Sequence, residues 1–112
     1  MMAKHEFGIF ETEPEPGKRY DEYSPEKYDC IAIHDDYIEP LLGELIVLET
    51  YIHTLSCLGN GLVYYGITII PPSSLPEFKK IIDSTDLKEL QVLSEKIDEA
   101  MQRYKFMIHY GI

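Results

Sequence analysis

Between residues 87 and 104 the apolar positions Leu87, Leu90, Leu93, Ile97, Met101 and Tyr104 recur at three- and four-residue steps. Lys88, Glu89, Glu95, Lys96, Glu99 and Arg103 fall on the opposite side. That period predicts a long amphipathic helix, and Asp86 three residues before Glu89 has the spacing of a capping box at its start. Ser74 and Glu77 repeat the spacing ahead of Phe78, Ile81 and Ile82, which predicts a shorter helix. A third helical pattern, Ile38, Leu41, Leu42, Leu45, Leu48 and Ile52, predicts a helix over about 37–49, opened by a box of Asp36 and Glu39 and with Pro40 in its first turn.

Elsewhere the pattern is that of strands. Cys30-Ile31-Ala32-Ile33 is a short apolar run ahead of polar His34-Asp35-Asp36. Residues 50–57 and 62–70 are rich in β-branched and aromatic residues, and Gly59-Asn60-Gly61 between them predicts a hairpin turn. Gly66 marks a bulge or a close approach of another backbone, and Pro71-Pro72 stops the strand. The tail, residues 106–112, alternates Phe106, Ile108 and Tyr110 with Met107, His109 and Gly111, so it reads as a strand pinned into the sheet. Strand, helix, two strands, two helices and a strand make an α+β two-layer domain. Its mixed or antiparallel sheet of about four strands packs on two or three helices.

Pro14, Pro16, Gly17 and Pro25 crowd a stretch, 11–27, that holds no aliphatic residue. Residues 1–28 are therefore expected to form an extended acidic arm, anchored by Phe7, Ile9, Phe10 and tyrosines, on a globular core of 29–112. With 112 residues the chain suits a single domain. No apolar run approaches the roughly 20 residues a membrane helix needs, and residues 1–10 lack an apolar signal core. Cys30 and Cys57 fit a reducing compartment better than a disulfide. These points lead us to expect a soluble cytoplasmic protein without a membrane partner.

Charge changes the picture further. The net charge is −10, and its distribution is uneven. Residues 1–28 carry seven acids against four bases, and residues 77–112 seven against six. The middle has Asp29, Asp35, Asp36, Glu39, Glu44 and Glu49, with no Lys or Arg from Tyr28 to Phe78. Such a field repels nucleic acid and steers cationic partners in.

Few residues suggest chemistry. His34, Asp35 and Asp36, with His53 or Glu49, are residue types that hold a divalent ion. Against this, adjacent residues on an extended chain diverge, and Asp36 has a capping role; no cofactor is expected. Glu49, His53 and Cys57 have i, i+4 spacing, but on a strand that spacing spans ~13 Å, so Cys57 reads as a small buried hydrophobe rather than a nucleophile. Tyr51, His53 and Tyr64 could line a shallow, polar-rimmed pocket, and on a strand Tyr64 and Tyr65 face opposite ways. Phosphate loops, nucleophile elbows and paired-cysteine motifs are absent from the sequence.

The segments Tyr51-Ile52-His53-Thr54, Tyr64 to Pro72 and Ile108-His109-Tyr110-Gly111-Ile112 resemble a family of small bacterial proteins of about this length that has no assigned activity. The resemblance, over roughly 30–112, implies a bacterial cytosolic origin and nothing about chemistry. In size and acidity the chain is also similar to immunity proteins that neutralise toxins. The leading expectation is a non-enzymatic module that offers Asp35, Asp36, Glu39, Glu44 and Glu49, with Tyr51, His53 and Tyr64 nearby, to a basic protein partner. The alternatives are a small metal-binding or hydrolytic domain using His34, Asp35, Asp36 and His53, and a homo-oligomer.

Overall fold

Six strands form one sheet in the order β2-β1-β6-β5-β3-β4, with every neighbouring pair antiparallel. The computed structural model describes residues 3–112. The strands are β1 (Lys4–Ile9), β2 (Ile31–His34), β3 (Glu49–Ile52), β4 (Leu58–Asn60), β5 (Ile67–Ile70) and β6 (Met107–Tyr110). The main helices are α3 (Leu75–Ser84) and α4 (Gln91–Arg103), and two single turns, α1 (Asp35–Ile38) and α2 (Leu42–Leu45), follow β2. The α+β class expected from the sequence holds, with two strands more than expected.

Those two strands are corrections. Lys4–Ile9, assigned from sequence to the arm, is β1 and pairs with both β2 and β6. Its alternation of His5, Phe7 and Ile9 with Glu6 and Gly8 suits a strand buried on both faces. Gly59-Asn60, expected as a turn, lies inside β4, and the hairpin instead turns at 53–57. There His53 adopts φ 62°, and the Cys57 N–H donates to the Thr54 carbonyl at 3.0 Å. Residues 62–66 lie outside any strand.

The helix expected over 37–49 is broken. A 3-10 turn, Glu39–Leu41, separates α1 from α2, and the chain leaves helix after Leu45. Pro40 has no N–H to give to the preceding turn, and Gly43 weakens the next one. The buried face survives: Ile38, Leu41, Leu45 and Leu48 all join the main core. None of the three expected capping boxes makes a side-chain cap. His34 caps α1 instead, its Nδ1 accepting from the Asp36 N–H at 3.0 Å. The Ser74 hydroxyl turns away from α3 and donates to the Glu49 carbonyl at 2.6 Å, tying that helix to β3.

On one face of the sheet, Phe7, Ile9, Ile70 and Met107 pack under Phe78, Ile82, Leu93 and Ile97 of the helices. On the other, Ile67, Ile69, Ile108 and Tyr110 are covered by Phe10, Tyr20, Tyr28 and Cys30. The proline-rich stretch is thus a third layer lying across the sheet. Its approach is close: a Cβ on Gly8 would stand 2.6 Å from the Tyr28 Cβ. β6 lies at the centre of the sheet, so the pinned tail expected from the sequence is found, with both of its faces buried. Among the described residues no helix is long and apolar enough to cross a membrane.

Candidate functional site

Two features could carry function: a buried polar chain through the sheet and an acidic, partly apolar surface at its β4 edge.

The polar chain follows from strand register. His109 on β6 lies opposite Thr68 on β5 and opposite Phe7 on β1, which places His5 diagonally beside it on the same face. Asp35 follows β2, and its N–H donates to the Ala3 carbonyl at 3.0 Å, so its carboxylate reaches β1. The His5 and His109 rings stack with centroids 5.1 Å apart. Their Nδ1 and Nε2 atoms stand 2.9 Å apart, and His5 Nε2 is 2.8 Å from Asp35 Oδ1. The Tyr64 hydroxyl donates to Asp35 Oδ2 at 2.7 Å. At the other end His109 Nδ1 lies 3.3 Å from the Thr68 hydroxyl, which accepts the Val63 N–H at 2.9 Å.

One assignment of protons satisfies the whole chain. With both rings neutral, Thr68 donates to His109 Nδ1, His109 Nε2–H to His5 Nδ1, and His5 Nε2–H to Asp35. Asp35 closes the chain as its terminal acceptor. The hydrogen bond from His5, reinforced by Tyr64, holds its carboxyl below the usual carboxylate range, and the same carboxylate pushes the Tyr64 hydroxyl up to about 12. Burial pushes His109 well below its ordinary value. The order Asp-His-His-Thr suggests a proton relay, but Thr68 is fully buried and offers no nucleophile to a dissolved molecule. What the chain does is join the start of α1 to β1, β6 and β5.

The residues singled out from sequence go to several places. Asp35 is held by His5 and Tyr64. Asp36, Glu39, Glu44 and Glu49 are exposed. Among the described residues, Glu39, Glu44 and Glu49 have no cationic group within salt-bridge distance, and Asp36 has only His34, at 3.5 Å. Tyr51 packs with the second core cluster. His53 fastens the arm: its Nδ1 is 2.7 Å from Asp21 Oδ1 and 3.2 Å from the Tyr20 carbonyl. His34 on β2 and His53 after β3 lie four strand spacings apart, roughly 19 Å, so they share no ion site. Cys57, read as buried, is exposed in the 53–57 turn, and both cysteines are free thiols. Burial pushes the Cys30 thiol up to about 12, which leaves it protonated and unreactive. Sequence reading missed His5 and His109 as partners; the alternation of residues 4–9 was the signal for the first.

At the β4 edge, Glu44 and Glu49 bracket Ile46 and Val47, which are 60% and 65% exposed, and Leu58 on β4 is 66% exposed. A Cβ on Gly61, just past β4, would meet the Ile46 backbone at 3.1 Å, so this apolar turn abuts the end of the edge strand. A groove of about 630 Å³ lies between α3 and α4. Three of its polar groups satisfy one another: Lys79 Nζ donates to Asp83 at 2.8 Å and to Ser94 at 3.1 Å, and Ser94 donates to Asp83. No family model, no curated protein and no solved structure matches this chain.

Proposed function

We propose that this protein is a non-enzymatic binding module that presents its acidic middle to a basic protein partner. The carrying observation is the bracketed pair at the β4 edge. Exposed Ile46 and Val47 stand between Glu44 and Glu49, which among the described residues have no cationic group within salt-bridge distance. An apolar centre with a charged rim is the anatomy of a protein-binding surface. With no Lys or Arg from Tyr28 to Phe78, this segment itself contributes only negative charge. Asp35 is engaged internally, so the charges offered are those of Asp36, Glu39, Glu44 and Glu49. A cytoplasmic inhibitor of a cationic toxin, such as a nuclease that grips phosphates, is the class this surface suits, in line with the chain's size and acidity.

The test is surface plasmon resonance against a panel of cationic nuclease domains with acidic domains as controls. At least one cationic domain should bind, with an association rate that falls roughly tenfold on raising salt from 50 to 500 mM. The combined variant Glu39→Gln, Glu44→Gln, Glu49→Gln should lose most of that rate. Binding that ignores both salt and the variant, or no cationic binder at all, refutes the reading.

A further inference from the structure

We infer that the basic partner docks as an extended segment added to the free edge of β4. The inference rests on the binding function proposed above and names how the partner is held. In the β3–β4 ladder Gly59 lies opposite Thr50. The bonds on either side run from the Ile52 N–H to the Cys57 carbonyl at 2.8 Å and from the Gly61 N–H to the Leu48 carbonyl at 2.9 Å. Antiparallel pairing alternates, so Cys57, Gly59 and Gly61 turn their backbone groups inward. The N–H and C=O groups of Leu58 and Asn60 then point away from the sheet. β4 is the last strand on that side, so among the described residues these groups have no strand partner.

An edge of this kind is usually blunted by a lysine, a proline or a bulge. This one is only three residues long, but it carries no lysine, proline or bulge: it reads Leu58-Gly59-Asn60, with an exposed leucine. It pairs a row of free backbone groups with an apolar anchor, which is what strand addition uses.

Charge selects the occupant. Glu49 lies across from Asn60 on β3, and their side chains share a face. An added strand would run two spacings, roughly 10 Å, from Glu49, a gap that a Lys or Arg side chain and the glutamate together close. Glu44 lies two residues before Ile46, whose backbone abuts Gly61 just past that strand. A second copy of this chain would bring its own Glu44 and Glu49 and a net charge of −10 against the same charge. A strand bearing Lys or Arg at alternate positions, with β-branched or aromatic residues between, meets both the charge and the leucine.

A displayed library of random short peptides, selected on the wild-type protein and followed by nuclear magnetic resonance with the recovered peptides, tests this. The expected peptides are enriched in Lys and Arg, free of internal proline, and shift and protect the Leu58 and Asn60 amides. Asn60→Pro removes one outward N–H while leaving the ladder to β3 intact, so affinity should fall about tenfold or more. Leu58→Lys, which keeps the backbone, should weaken binding as well, and thermal melts confirm that both variants fold. Basic peptides that shift the 36–47 region and ignore Asn60→Pro would overturn strand addition while leaving the binding function standing. Recovery of no peptide, or of peptides without basic enrichment, overturns the inference. So does a dimer in light scattering that Asn60→Pro dissociates, which would make a second copy the occupant.

Discussion

Replacing His109 by glutamine should flatten the acid side of the stability curve, and the structure sets the size of the effect. His109 is fully buried, and burial holds its ring neutral. The unfolded chain returns it to an ordinary value near 6.5, so below that pH the unfolded state binds a proton that the folded state refuses. Stability is therefore full above about pH 6.5 and is lost as pH falls below it, with a slope that approaches 1.4 kcal/mol per pH unit. Between pH 7 and 5.5 the loss is about 1.3 kcal/mol, or roughly 5 °C in melting temperature for a domain of this size. Glutamine keeps a donor for His5 and does not titrate. Asp35, Asp21, Asp83 and Glu11, all held below their ordinary values, begin to lose their contributions only nearer pH 4, so the windows separate. The assay is a series of thermal melts by circular dichroism across pH 7.5 to 5 for both proteins. A His109→Gln curve as steep as the wild type would refute the assignment of the slope to the buried ring.

Gly8→Ala should drive a Cβ into Tyr28 and Cys30, costing about 1–3 kcal/mol and lifting the arm, so that trypsin cuts after Lys18 and Arg19 faster than in the wild type. Ser74→Ala removes the bond from α3 to the Glu49 carbonyl and should lower stability by about 1 kcal/mol in a urea titration without changing its slope. Deleting residues 107–112 takes out the strand that joins β1 to β5, and the truncated chain should lose its cooperative melt. A melt within a degree or two of the full chain would show that β6 is not needed.

Legibility in the sequence depended on how local the cause was. The face of α4 was readable because a helical period needs only neighbours four residues away: Leu90, Leu93 and Ile97 are buried as expected, whereas Leu87 and Tyr104, at the two ends of the expected face, lie outside α4 and are exposed. In residues 38–48 the apolar spacing predicted the buried side chains correctly although the backbone is broken at Pro40, since either conformation turns that face inward. The capping boxes failed because Ser74 found a better acceptor in another element. β1 was hidden by the prolines that follow it. Asp35 read as a free surface acid because His5 and Tyr64 lie 30 and 29 residues away, and no local pattern announces such partners.

The pairing of β1 with β6 has a consequence for how the chain reaches this state. His5 and His109 are 104 residues apart, and closing a loop of that length costs roughly 4 kcal/mol of chain entropy before any contact in it can form. Local hairpins such as β3–β4 face no such barrier, so the middle of the sheet, where the buried histidines lie, should assemble last. A folding reaction governed by such remote contacts runs in milliseconds to seconds rather than microseconds. Weakening the central pair should then accelerate unfolding and leave the folding rate almost untouched, so that the buried histidines act as a clasp on the finished molecule rather than as a seed for it.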